Sequence, residues 1–267
     1  MAPAAVLPLP NRPGSLKFFV LGDFGTGTRH QRALADRMAQ VQSQFAAELV
    51  ITVGDNIYGR ERPQDLKRKF EVPYATLLQR GVKFYASLGN HDSRQQAHYP
   101  PFNMQGRTYY SFKAPRQDVK FIALESDYPT PEQMAWLSKE LEGRTDWVIP
   151  YFHHPLYSSG KRHGAHLDLR AAVEPLLLGS NVTVVFSGHE HFYERTRPQQ
   201  GLTYFIVGSG GQLRRGNIDR TSGITASGFD TGRAFLAVEI AGDELFFCAI
   251  ETSGRVVDEG RIDRRRR

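Results

Sequence analysis

The chain has 267 residues, a hydrophobic content of 40% and an aromatic content of 11%, which excludes a disordered chain and leaves room for one large domain or two small ones. Its formal net charge is +6, but the run Arg264 to Arg267 carries four of those charges, so the body is nearly balanced and its charge is no argument for nucleic-acid binding. The single cysteine, Cys248, excludes an intrachain disulfide framework, and its apolar neighbours make it read as a small buried hydrophobe.

Residues 1–14 carry Pro3, Pro8, Pro10 and Pro13 and read as an extended lead-in without a basic segment followed by an apolar one. Residues 16–21 form a short apolar strand that ends at Gly22-Asp23. Leu34, Met38, Val41, Phe45 and Leu49 recur at helical steps over 31–49. The next strand, 49–53, ends at Gly54-Asp55. Residues 63–78 read as helical with a break before Pro73. A third strand, 82–87, precedes Gly89-Asn90.

Two strands flank a turn near 115–118 within 108–125. Thr130-Pro131-Glu132-Gln133 opens a helix, with Thr130 as cap and Pro131 in the first turn, and Gly143 closes it. A strand at 146–152 ends at His153, a helix spans 167–178, and a strand at 182–186 ends at Gly188-His189. From 203 onward the pattern is strands: 203–207, 234–240, 244–250 and 255–262. No apolar run is long enough to cross a bilayer. The pattern predicts one α/β domain over 15–262 with a mixed sheet or two packed sheets, followed by a basic tail at 263–267 that reads as a solvated, frayed terminus.

Five segments follow predicted strands and place oxygen or imidazole donors in tight turns: Gly22-Asp23-Phe24-Gly25, Gly54-Asp55-Asn56-Ile57-Tyr58, Gly89-Asn90-His91-Asp92, His153-His154-Pro155 and Gly188-His189-Glu190-His191. Strand ends are where open α/β sheets place their sites. In four of the five, Gly22, Gly54, Gly89 or Gly188 immediately precedes a donor and suggests a sharp turn or a close backbone approach. Taken singly, each segment is a turn as readily as a site. Five in order, all at strand ends, argue for a site. A mixed oxygen and nitrogen set without thiolate suits iron, manganese or zinc. The set exceeds the needs of one ion and suits two metals about 3.5–4 Å apart, the usual device for in-line phosphoryl displacement.

This set resembles the calcineurin-like metallophosphoesterases and, within them, the purple acid phosphatases. Two details carry the narrower resemblance. The first motif reads Asp23-Phe24-Gly25, where most of the superfamily has a ligand histidine after the aspartate. The second motif adds Tyr58 three residues after Asp55, and that exchange is typical of purple acid phosphatases. The resemblance implies α/β/β/α packing, with two mixed sheets flanked by helices. It implies a first metal, iron(III), on Asp23, Asp55, Tyr58 and His191, and a second, iron(II), zinc(II) or manganese(II), on Asp55, Asn90, His153 and His189, with Asp55 as the bridge. The family's His-x-Pro pattern selects His153 over His154.

The resemblance gives His91 and His163 catalytic roles over the phosphate, where an imidazolium binds a phosphate oxygen or protonates the leaving group. The implied activity is hydrolysis of small phosphate monoesters by in-line attack of a hydroxide held at the metals. A manganese or zinc phosphodiesterase or nucleotidase on the same fold is the alternative. His30, His98 and His166 receive no role, Arg214 and Arg215 are left between substrate contact and solvation, and Gly208-Ser209-Gly210-Gly211 reads as structural because no Gly-Lys-Ser/Thr follows. The family is usually exported, periplasmic or secreted, whereas the chain shows no leader; a missing N-terminus reconciles the two.

Overall fold

The computed structural model describes residues 7–265. The strands are β1 (Leu16–Leu21), β2 (Leu49–Val53), β3 (Lys83–Ser87), β4 (Tyr110–Lys113), β5 (Val119–Ala123), β6 (Trp147–Tyr151) and β7 (Val184–Ser187). They continue as β8 (Tyr193–Thr196), β9 (Thr203–Val207), β10 (Thr225–Phe229), β11 (Ala234–Ala241), β12 (Glu244–Glu251) and β13 (Val256–Asp263). The helices are α1 (Arg29–Phe45), α2 (Pro63–Leu66), α3 (Ala75–Gln79), α4 (Pro131–Glu140) and α5 (Leu167–Leu178).

A six-stranded sheet has the order β13-β12-β11-β1-β2-β3 and a seven-stranded sheet the order β10-β8-β9-β7-β6-β5-β4. Pairing is parallel along β1-β2-β3 and along β5-β6-β7-β9, and antiparallel towards the outer strands. The sheets pack face to face. Phe18 meets Phe121 edge to face at 5.2 Å between ring centroids, and Phe205 meets Phe247 at 5.0 Å. Strand alternation sends the neighbouring Phe19 to the opposite face, where it touches Phe45 of α1. Leu34, Met38, Val41 and Phe45 form the buried stripe of α1. On the far side, Leu137 of α4 and Leu169, Val173 and Leu177 of α5 cover Val148, Val185 and Tyr204. The molecule is therefore two mixed sheets between helices, as expected.

The differences from the sequence reading are local. The first helix stops at Phe45, where Ala46 turns left-handed (φ 54°), and not near Leu49. The Thr28 hydroxyl caps its start. Residues 63–78 are α2, a π-helical turn over Lys67–Glu71, and α3 after the break at Pro73. Strands β8 and β10 had no counterpart in the reading. In the lead-in, Leu9 is buried and the amides of Asn11 and Arg12 donate to Glu239. The tail correction is electrostatic: Arg264 pairs with Asp146 and Asp243, and Arg265 donates to Thr183 and Val182, so neither is frayed. Arg266 and Arg267 lie outside the described residues.

Candidate metal centre

The C-terminal ends of β1, β2, β3, β6 and β7 lie side by side, and their following turns bring the predicted donors together. Asp23, Asp55 and His189 all sit in the left-handed region, at φ 55°, 51° and 69°. Such backbone is strained for a side-chain-bearing residue and persists only where the surroundings enforce it. The preceding glycines mostly serve close approach. A Cβ on Gly22 would lie 2.4 Å from Val53 Cγ2, and on Gly188 2.6 Å from Asp23 Oδ2. The loop 208–211 is bound to the first motif, with the Gly210 amide donating to Gly22 and the Gly211 amide to Asp23. It is a structural clamp, as the sequence suggested.

The donors form two adjoining groups. In the first, Tyr58 Oη lies 2.8 Å from Asp55 Oδ2, 3.2 Å from Asp23 Oδ1 and 3.3 Å from His191 Nε2. Asp23, Asp55 and His191 offer donor atoms all within 4.8 Å of one another. In the second, His153 Nε2 lies 3.1 Å from Asn90 Oδ1, 3.2 Å from His189 Nδ1 and 3.4 Å from Asp55 Oδ1. The two oxygens of Asp55 thus face different groups.

The hydrogen-bond chemistry tests whether cations fit. His153 Nδ1 lies 2.9 Å from the Val53 carbonyl, which only accepts. Nδ1 therefore carries the proton, and Nε2 turns a bare lone pair towards the Asn90 and Asp55 oxygens. Lone pairs facing lone pairs repel, and a cation between them removes the conflict. Burial, then the Asp55 charge, pushes the Asp23 carboxyl well above the usual carboxylate range. Burial lowers His153 and His189 strongly and, with Arg214 next, lowers His191 to about 4. The imidazoles are thus neutral, the form that binds metal. Burial and then Asp23 and Asp55 raise the Tyr58 phenol far above its ordinary value. The donor set fits two cations.

The His154 ring packs behind the donors, 4.5 Å from that of His189 and 5.1 Å from that of His153. Ser126 Oγ accepts from its amide and lies 3.0 Å from its Nδ1, and burial lowers it to about 4. The His91 amide donates to Asp55 Oδ1 at 3.0 Å, and its ring lies 4.9 Å from that of Tyr58. The exposed His163 ring lies 4.5 Å from that of His189. His166 accepts from the Leu169 amide at 3.2 Å and caps α5. The Arg214 amide donates to the His191 carbonyl, which sets this arginine beside the first group.

Two acidic residues were given no role in the sequence reading. Asp92 accepts from the amides of Asn56, Ile57 and Gly89 at 2.9–3.0 Å and from the side chains of Asn56 and Gln96, so it ties the second motif to the third. Glu190 is buried between His189 and His191, and its carboxylate accepts from a neighbouring loop.

Strand-end carboxylates, imidazoles and an amide thus form a paired site, between two mixed sheets, that suits metal ions. The calcineurin-like phosphoesterase pattern matches residues 16–193, and the chain belongs to that family. It is 27% identical over 302 residues to tartrate-resistant acid phosphatase type 5 of Homo sapiens, covering 95% of this chain and 92% of that protein. It is 25% identical over 289 residues to purple acid phosphatase 4 of Arabidopsis thaliana, covering 94% and 84%. Among solved structures, a purple acid phosphatase from yellow lupin (Lupinus luteus) superposes with a TM-score of 0.74 at 17% identity, covering 96% of this chain and 55% of that one. GAP50, the anchor in the inner membrane complex of Plasmodium, superposes at 0.78 with 19% identity, covering 95% and 90%. An anchor and a phosphatase share this fold, so activity has to be argued from the site.

Proposed function

We propose that this chain hydrolyses phosphate monoesters at a dinuclear centre of the purple acid phosphatase type. One observation carries the reading. The position after Asp23 that would offer a histidine is Phe24-Gly25, while the hydroxyl of Tyr58 converges on Asp23, Asp55 and His191. Asp23, Asp55, Tyr58 and His191 would hold the first ion, and Asp55, Asn90, His153 and His189 the second. Asp55 would be shared through its two oxygens. Burial, and then the two carboxylates, discourage ionisation of the Tyr58 phenol, so displacing its proton takes a highly charged cation. This favours iron(III) in the first position. Neutral Asn90 makes the second position weaker and suits iron(II), zinc(II) or manganese(II).

Two bound cations supply positive charge for the phosphoryl oxygens and a water acidic enough to act as nucleophile. The chain's own groups do the rest. His91 and His163 stand at the exposed side of the donors, where an imidazolium holds a phosphate oxygen or gives its proton to the leaving oxygen. Asp55, also accepting from the His91 amide, keeps that residue in register with the centre. The fixed turns orient these groups before substrate arrives.

Asp55→Asn should release both metals, read by elemental analysis of the purified protein. Retention of both removes the shared role of Asp55. The wild type should turn over aryl monoesters faster than the matching diesters, and the reverse order would favour a phosphodiesterase on the same fold.

A further inference from the structure

We propose that Glu190 is a positioning residue that docks the 158–164 loop onto the ligand turn and thereby holds His163 over the centre; the inference rests on the phosphatase reading above. Glu190 lies between two donor histidines, yet its side-chain hydrogen bonds go elsewhere. Oε1 accepts from the His163 amide at 3.1 Å and the Gly164 amide at 2.8 Å, and Oε2 accepts from Asn217 Nδ2 at 2.8 Å. Three N–H groups converge on a group that only accepts, an arrangement that a carboxylate satisfies with both oxygens and an amide with only one. A Cβ on Gly160 would stand 2.0 Å from Oε1, so the loop backbone is seated directly on the carboxylate.

The loop's other attachments lie at its Ser159–Lys161 end: the Ser159 amide donates to Glu194 of β8, the Asp219 amide to the Ser159 carbonyl and the Lys161 amide to the Asn217 carbonyl, and Gly160 bridges to Ile218. Glu190 links the other end of the loop, at His163 and Gly164, to the turn carrying His189 and His191. The exposed ring of His163 takes its place from its own backbone, and that backbone is fixed by Glu190. Arg214 Nη1 lies 3.9 Å from Oε2, which keeps a positive charge beside the buried carboxylate without a hydrogen bond to it.

Glu190→Gln keeps the shape but turns an N–H group towards at least one of the three donors. Gly160→Ala keeps the carboxylate but pushes it and the loop backbone apart. Both variants are compared with wild type for metal content, for exchange of the His163 and Gly164 amides by NMR, and for turnover of 4-nitrophenyl phosphate and phenyl phosphate. Both should keep two metals while the two amides exchange at least about tenfold faster. General acid catalysis typically contributes about 10²–10⁴-fold. On that scale, kcat on phenyl phosphate, the poorer leaving group, should fall by about 30-fold, while kcat on 4-nitrophenyl phosphate and both KM values change by less than about threefold. Adding Glu190→Gln to His163→Ala should cost little more than His163→Ala alone.

Unchanged amide exchange in both variants overturns the docking, whatever the activity. Faster exchange with an equal loss on both esters, or full additivity with His163→Ala, overturns the role through His163. A metal-loaded wild type that turns over neither ester overturns the phosphatase reading itself, and the exchange data then decide the docking alone.

Discussion

Asp92 offers the sharpest test of how the donor turns are held. Its carboxylate accepts from the amides of Asn56, Ile57 and Gly89 and from two side-chain amides, which together join the turn after β2 to the turn after β3. Asp92→Ala leaves three backbone N–H groups without their partner. An unsatisfied buried donor costs about 1–3 kcal/mol, and water entering the vacated space recovers part of it. A net loss of about 3–5 kcal/mol follows, and at about 2–4 °C per kcal/mol for a domain of this size the melting temperature should drop by roughly 10 °C. Asp92→Asn retains an acceptor and should lose about half as much. The turns it joins carry Asp55 and Asn90, so affinity at the second metal position should also fall about 10–100-fold, as for other residues that orient ligands. Urea unfolding of the metal-free protein gives the stability change, and metal titration monitored by calorimetry gives the affinity. An Asp92→Ala protein with wild-type stability and wild-type affinity would refute the reasoning, because the five contacts would then carry no weight.

His154 should make stability fall with acid. Burial depresses its native value to about 4, so the native imidazole stays neutral while the unfolded one protonates near its ordinary value of 6.5. Its contribution is complete above that ordinary value and is lost as pH falls towards the native one, by about 2 kcal/mol between pH 8 and pH 5. His154→Gln should lose that much less over the same interval, measured by urea unfolding at both pH values; equal losses would remove His154 as the cause. Phe121 sits between the sheets against Phe18, and Phe121→Ala should cost about 3–5 kcal/mol without changing metal stoichiometry. A change in bound metal at unchanged stability would contradict that separation of core from site.

The donors were legible in the sequence because each follows an apolar strand and is marked by a small residue or a proline. The helix at Leu167–Leu178 was legible because its periodicity and boundaries agree. The first helix was overextended because Leu49 continues the apolar spacing of α1 while Ala46, a residue with no turn signal, takes the left-handed conformation. Strand β8 escaped because its buried Glu194 and Thr196 read as surface; Glu194 is satisfied by the Ser159 amide and the Thr225 hydroxyl, and Thr196 Oγ1 accepts from the Tyr204 amide. Asp92 and Glu190 escaped for a related reason. Their partners are mostly backbone amides from distant segments, and no spacing rule reports an amide.

The most direct test of the central claim is the visible absorption spectrum of purified wild type and Tyr58→Phe, with iron, zinc and manganese counted on the same samples. The account predicts about two metals per wild-type chain, at least one of them iron, and a broad visible band that strong reductant abolishes and Tyr58→Phe lacks. A colourless wild type carrying two divalent metals, or a Tyr58→Phe variant that keeps the band, would contradict it.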